Sequence, residues 1–148
     1  MSIKPDGRYK VVYFVAHWCP HCQKEVPLIA QWQKSGLLDK KVKVIAVSTA
    51  AEEARGNFPP ASWLKEEDWQ NETLVDTPTS KVMNSLGVTG FPTLIAVTKD
   101  GKVAQRASGE LELNQVQQLW DAALGKEVVP TETPGTTPIT SPVPTSAP

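Results

Sequence analysis

The chain contains only two cysteines, Cys19 and Cys22, and they stand where a strand pattern changes into a helix pattern. Residues 9–16 are mostly β-branched, aromatic or aliphatic, as in a strand that is buried on both faces. A helical pattern runs from about residue 20 to residue 35, and Gly36 ends it. The sequence therefore predicts a strand, a turn and a helix, with two thiols three residues apart in the turn.

The remaining residues up to about 125 continue this alternation of strands and helices. Further strand patterns cover residues 41–47, 73–75, 93–98 and 102–107, and further helix patterns cover residues 61–69, 80–86 and 113–124. Between the last two strands lies Asp100-Gly101, a strong hairpin signal. This order predicts an α/β domain with a mixed central β-sheet flanked by helices on both faces.

The C-terminal end has a different composition. Fourteen of the nineteen residues from 130 to 148 are Pro, Thr or Ser. Such a segment buries too little apolar surface to offset the entropy lost on ordering. We therefore expect a folded domain at residues 1–126 and a disordered Pro/Thr/Ser-rich tail at residues 127–148, either a spacer or a glycosylated stalk.

Charge and hydropathy exclude two broad classes. Fifteen Lys and Arg residues face sixteen Asp and Glu residues, so the net charge is −1, and we expect no nucleic-acid partner. The longest apolar run, residues 11–16, is too short to span a membrane. The first ten residues are too polar for a signal peptide, so the protein is cytosolic or has lost an export segment.

The two thiols are predicted to differ in reactivity. Cys19 would begin the helix, where free backbone N–H groups and the helix dipole favour a thiolate. Cys22, one turn inside, would be shielded and would resolve mixed disulfides. His21 would add positive charge near Cys19. This charge would raise the reduction potential of the cysteine pair by roughly 30–60 mV and make it more oxidising.

The segment from His17 to Cys22 has two alternative interpretations. A metal site would need His17, Cys19, His21 and Cys22. Four ligands within six residues cannot readily converge on one tetrahedral ion, so we predict no metal site, and His17 is expected to face solvent. A purely structural disulfide is disfavoured because so short a loop removes little entropy from the unfolded chain.

Over residues 9–124 the chain resembles the thioredoxin superfamily. The matching motifs are Trp18-Cys19-Pro20-His21-Cys22, a helix containing Pro27, and Gly87-Val88-Thr89-Gly90-Phe91-Pro92-Thr93. The resemblance implies a thioredoxin fold in which Pro92 is cis and faces the redox-active disulfide. It also implies exchange of disulfides with client proteins, without an organic or metal cofactor.

The finer resemblance is to the TlpA/ResA-like, extracytoplasmic branch. Residues 48–79 leave room for a helix-and-strand insertion, and residues 22–27 are similar to that branch's C-x-x-E-x-P motif. The resemblance implies that Glu25 tunes the thiols, although it could also be an exposed first-turn helix acid. It places the protein outside the cytoplasm, secreted or anchored through a segment absent from this chain. Tyr13 departs from the family pattern, because plain thioredoxin has a buried aspartate there.

These observations together predict a monomeric thiol–disulfide oxidoreductase. The roles assigned are Cys19 and Cys22 as reacting thiols, Pro20, His21, Glu25 and Pro92 as residues that modulate them, and Trp18 and Phe91 as an apolar rim for client peptides. Its partners would be client proteins and an unidentified redox partner that resets the disulfide. The four other tryptophans are expected to pack in the interior.

The direction of disulfide exchange and the functional class of the protein each have alternatives. Pro20-His21 is shared with DsbA-type oxidants, so the protein could be an oxidase rather than a reductase. A redox-inert binding module could use the same rim without thiol chemistry. A peroxidase of the peroxiredoxin type is disfavoured, because Ala16 stands where that family has threonine.

Overall fold

The computed structural model describes residues 7–126 and confirms the predicted α/β architecture. The strands are Tyr9–Val15 (β1), Val42–Ser48 (β2), Glu72–Val75 (β3), Thr93–Val97 (β4) and Val103–Ser108 (β5), and the helices are Pro20–Lys34 (α1), Pro60–Glu66 (α2), Lys81–Ser85 (α3) and Leu113–Ala123 (α4). Each predicted element is present, with its ends within three residues of the prediction. The predicted tail, residues 127–148, lies outside the described residues.

The five strands form one mixed sheet in the order β3-β2-β1-β4-β5. β1 pairs in parallel with β2 and antiparallel with β4, so it lies at the centre. Phe14 near the end of β1 pairs with Thr93 at the start of β4. The residues that follow β1 and those that precede β4 therefore leave the sheet at the same end of these two strands, which brings Cys19 and Pro92 together.

Alternate residues of β1 enter two different apolar layers, as expected for a strand buried on both faces. Tyr13 lies in the layer that contains Cys22 and Trp120, whereas Phe14 lies in the layer that contains Val82 of α3. Trp63, Trp69 and Trp120 are buried, and the partly buried Trp32 packs against the apolar layer that contains them. The prediction that these four tryptophans serve packing is confirmed.

The segment between β2 and α3 contains the predicted helix α2 and strand β3. β3 pairs in parallel with β2 and forms one edge of the sheet. Residues 49–59, which we call the insertion loop, connect β2 to α2 and are exposed over residues 51–59. Within residues 7–126, every helix is too short or too polar to cross a membrane.

Candidate active site

The two cysteines occupy the first turn of α1. Cys19 is the N-cap residue, with extended backbone angles, and Pro20 follows at the first helical position. Both side chains are free thiols. Cys19 is 7% exposed and Cys22 is fully buried. The predicted order of exposure is therefore present, but Cys19 is more enclosed than expected, because the chain before β4 lies against it.

The segment that precedes β4 lies against Cys19 through the carbonyl group of Phe91. The Cys19 Sγ atom lies 3.9 Å from the carbonyl oxygen of Phe91, and the Phe91–Pro92 peptide bond is cis. Pro92 is buried, and its carbonyl accepts a hydrogen bond of 2.8 Å from the N–H of Gly109. Two motifs that are about seventy residues apart in sequence thus form one site.

Burial separates the chemistry of Cys22 from that of Cys19. Loss of solvent raises the pKa of the Cys22 thiol far above its usual range, and the negative charges of Cys19 and Glu25 add to this. At neutral pH Cys22 is therefore a protonated thiol. It must lose its proton before it can attack a mixed disulfide, because the thiolate is the nucleophile.

Glu25 is a buried carboxyl group in the same helix. It is 1% exposed, so the alternative of an exposed helix acid is wrong. Oε1 accepts a hydrogen bond of 2.9 Å from the Tyr13 hydroxyl, and Oε2 accepts one of 2.8 Å from the N–H of Leu111. Burial raises the pKa of Glu25 to about 7, assisted by the charge of Glu110 and opposed by the two hydrogen bonds. Such a group is suited to proton transfer near neutral pH.

Tyr13 is a site residue for which the sequence alone predicts no role. It is fully buried on β1, and its ring lies 5.5 Å from that of Trp69, between α2 and β3. Burial and the nearby Glu25 raise the pKa of the phenol well above its usual range, so it remains a hydrogen-bond donor. The available signal was its position, where plain thioredoxin has a buried aspartate.

His21 contacts the carboxylate of Glu110, a partner that the sequence alone does not predict. Its Nδ1 atom lies 2.5 Å from Oε2 of Glu110, in the loop between β5 and α4. The hydrogen bond with His21 lowers the pKa of Glu110. Gly109, with a φ of 91° that favours glycine, turns the chain just before Glu110. The positive charge predicted for His21 is thus paired with a negative one.

Trp18 and Phe91 form an aromatic rim beside Cys19. Their ring centroids lie 6.0 Å apart at an angle of 88°, an edge-to-face contact. The Trp18 indole N–H donates to the carbonyl of Ala50 at 2.7 Å, and the Arg55 guanidinium lies 3.8 Å from the centre of the Trp18 ring. The insertion loop therefore adds a cation to the rim that the sequence reading missed.

His17 is buried, so the prediction that it faces solvent is wrong. Its Nδ1 atom lies 2.7 Å from the carbonyl oxygen of Gly56, and its Nε2 atom accepts the N–H of Glu52 at 3.0 Å. These contacts assign the neutral tautomer with the proton on Nδ1. The insertion loop therefore contacts this side chain through both ring nitrogens.

In the part of the chain that the structure describes, no three His, Cys, Asp or Glu side chains are grouped to hold a metal ion.

The Redoxin family model matches residues 3–121 of the chain. Nucleoredoxin from Bos taurus is 31% identical over 110 residues, which are 73% of this chain and 24% of nucleoredoxin. Thiol-disulfide oxidoreductase ResA from Bacillus thuringiensis is 27% identical over 112 residues, which are 76% of this chain and 61% of ResA. The chain thus spans less than two thirds of the length of these curated relatives.

A solved structure shares the fold. The thiol:disulfide interchange protein from Chlorobium tepidum, a thioredoxin family protein, superimposes with a TM-score of 0.64 at 23% identity. The superposition covers 80% of this chain and 81% of that chain.

Proposed function

The chain belongs to the Redoxin family, and we propose that it is a thiol–disulfide oxidoreductase that exchanges disulfides with client proteins through Cys19 and Cys22. The observation that carries this proposal is the asymmetry of the two thiols. One lies at the helix N-cap with a small exposed area, and the other is fully buried in the same turn. Disulfide exchange needs this division between an attacking thiol and a resolving thiol.

The reaction proceeds in two exchange steps. The Cys19 thiolate attacks one sulfur of a client disulfide, so that a Cys19–client bond forms and the other client sulfur leaves as a thiolate. Cys22 then gives its proton to Glu25 and attacks Cys19 Sγ. The Cys19–client bond breaks, the second client sulfur leaves as a thiolate, and a Cys19–Cys22 disulfide remains. Two electrons have passed from the protein to the client, and the reverse sequence oxidises a dithiol.

The rim of Trp18 and Phe91 is proposed to receive the client peptide next to Cys19. Pro92 has no backbone N–H, and its carbonyl is already bonded to Gly109. We therefore assign the backbone contact with the client to Phe91, whose carbonyl lies beside Cys19 Sγ. Pro92 shapes this segment rather than contacting the client through hydrogen bonds.

We further propose that the protein acts outside the cytoplasm. The support is the similarity to ResA and the position of Glu25 in a C-x-x-E-x-P motif. The disulfide is its redox group, so no other cofactor is assigned. A separate redox partner resets the pair, and the potential of the client relative to this partner sets the direction.

Reduction of insulin by dithiothreitol, followed as turbidity, tests the activity. The wild-type chain should accelerate the reaction, and Cys19→Ser should abolish the acceleration. A wild-type rate equal to background would favour the redox-inert binding module instead. Equilibration with glutathione buffers then measures the reduction potential of the Cys19–Cys22 pair, against which the potentials of candidate clients and partners can be compared.

A further inference from the structure

We propose that Tyr13 is a positioning residue for the thiol reaction: its hydroxyl holds the Glu25 carboxyl in the orientation in which it takes the proton of Cys22. This role presupposes the proposed thiol–disulfide exchange. It assigns a function to a side chain that stands where plain thioredoxin has an aspartate, and it predicts an effect on one step of the reaction only.

Packing and hydrogen bonds fix the orientations of the Tyr13 side chain and the Glu25 carboxyl group. Tyr13 lies on the central strand, and its ring is fixed by packing against Trp69. Its hydroxyl donates to one oxygen of Glu25 while the N–H of Leu111 donates to the other. Each carboxyl oxygen thus has its own donor, so the carboxyl plane is held from two sides.

The charges around Glu25 show why a donor is needed there. Burial disfavours the ionised form of this carboxyl, and the negative charge of Glu110 adds to that effect. Leu111 and Tyr13 supply the hydrogen bonds that favour ionisation. Removing the Tyr13 hydroxyl therefore raises the pH at which Glu25 becomes a base and frees one carboxyl oxygen to rotate.

The step affected is the resolution of the mixed disulfide. The proton moves from Cys22 Sγ to the Glu25 carboxylate, and the resulting thiolate attacks Cys19 Sγ. The bond between Cys19 and the client sulfur breaks, and that sulfur leaves with the electron pair. The first attack, by Cys19, uses no proton transfer to Glu25 and should be nearly independent of Tyr13.

Stopped-flow reaction of the reduced protein with 5,5′-dithiobis-(2-nitrobenzoate) separates the two steps. The first thionitrobenzoate is released in proportion to reagent concentration and reports on Cys19. The second is released independently of concentration and reports on Cys22. Tyr13→Phe should slow the second release at pH 7 by about three- to tenfold and move its pH midpoint upward. The first release should change less than about twofold.

The chain offers a matched control, because Tyr9 is its only other tyrosine and lies on the same strand. Tyr9→Phe should leave both releases unchanged. In a Glu25→Gln background, Tyr13→Phe should have no further effect on the second release. An unchanged second release in Tyr13→Phe, or the same slowing in the Glu25→Gln background, would overturn the assignment.

A second variant covers the case in which Tyr13→Phe does not fold. Incorporation of 3-fluorotyrosine into Tyr9→Phe labels position 13 alone and strengthens the phenol as a donor. The pH midpoint of the second release should then move downward, and an unchanged midpoint would contradict the role. A wild-type chain that releases no second thionitrobenzoate would instead refute the proposed function itself.

Discussion

Cys19 and Cys22 are separated by one helical turn, yet their surroundings give them different chemistry. Cys19 keeps a small exposed area beside the Phe91 carbonyl, whereas Cys22 is fully buried in the apolar layer with Tyr13. Burial raises the pKa of the Cys22 thiol, and it also raises the pKa of Glu25, in the same helix, to about 7. A local motif therefore depends on side chains and backbone groups that come from distant parts of the chain.

Limiting iodoacetamide at pH 7 should label Cys19 at least about tenfold faster than Cys22, because Cys22 is buried and burial raises its pKa. Peptide mass spectrometry measures the ratio. Cys22→Ser should accumulate mixed disulfides with clients, and Cys19→Ser should not. Preferential labelling of Cys22 would reverse the two assigned roles.

His21→Gln should lower the reduction potential of the cysteine pair by less than about 30 mV. A shift of about 30 mV corresponds to a tenfold change in the equilibrium constant with glutathione. The sequence alone predicts a larger effect, but the pairing with Glu110 offsets the charge of His21, and its exposure adds screening by water. Glu110→Gln is the matched variant and should shift the potential in the oxidising direction. A change of 60 mV or more in His21→Gln would show that Glu110 does not compensate His21.

At the scale of elements, the insertion loop has no regular secondary structure and is held by the dipeptide before Cys19. His17 binds it through both ring nitrogens, and the His17 carbonyl accepts a bond of 3.1 Å from the side chain of Asn57. Trp18 binds it through Ala50 and Arg55. The loop and the active-site turn are therefore one structural unit.

His17→Ala should lower the free energy of unfolding by about 1–3 kcal/mol, because it leaves the N–H of Glu52 and the carbonyl of Gly56 without their partner. Urea denaturation measures the change. His21→Ala is the control, since this exposed histidine should change stability by less than about 0.5 kcal/mol. Equal effects of the two substitutions would contradict the anchoring role.

At the scale of the whole molecule, the buried Glu25 links stability to pH. Its pKa is raised from 4.5 to about 7 in the folded protein, so between these values the folded state binds more protons than the unfolded state. The free energy of unfolding therefore falls by roughly 3 kcal/mol in total as the pH rises from 4.5 to about 7.

Glu25→Gln should remove this slope, and urea denaturation of the reduced proteins at several pH values between 4.5 and 8 measures it. The wild type and the variant should differ least in stability near pH 4.5, where the folded wild type also carries an uncharged side chain. Above pH 7 the free energy of unfolding of the variant should rise relative to that of the wild type. Parallel stability curves over the whole range would show that Glu25 is not titrating in the folded protein.

The elements of the fold could be predicted because each has a local signal: apolar runs for β1 and β4, helical spacing in α4 and Asp100-Gly101 in the hairpin. The cysteine pair is equally local. Glu110, Leu111 and Arg55 could not be found in this way. They reach the site through loops, and their positions depend on how the helices pack on the sheet. The burial of His17 could not be predicted for the same reason, since it comes from contacts with the insertion loop.

The pairing of β1 with β4 also has a consequence for synthesis of the chain. Phe91, whose carbonyl lies beside Cys19 Sγ, is translated about 70 residues after Cys19, so the thiols remain uncovered for about 4–14 s at ordinary elongation rates. During that interval the nascent chain already carries both sulfurs but not the groups that shield them. Its oxidation state at release is therefore set by the thiols and oxidants near the emerging chain.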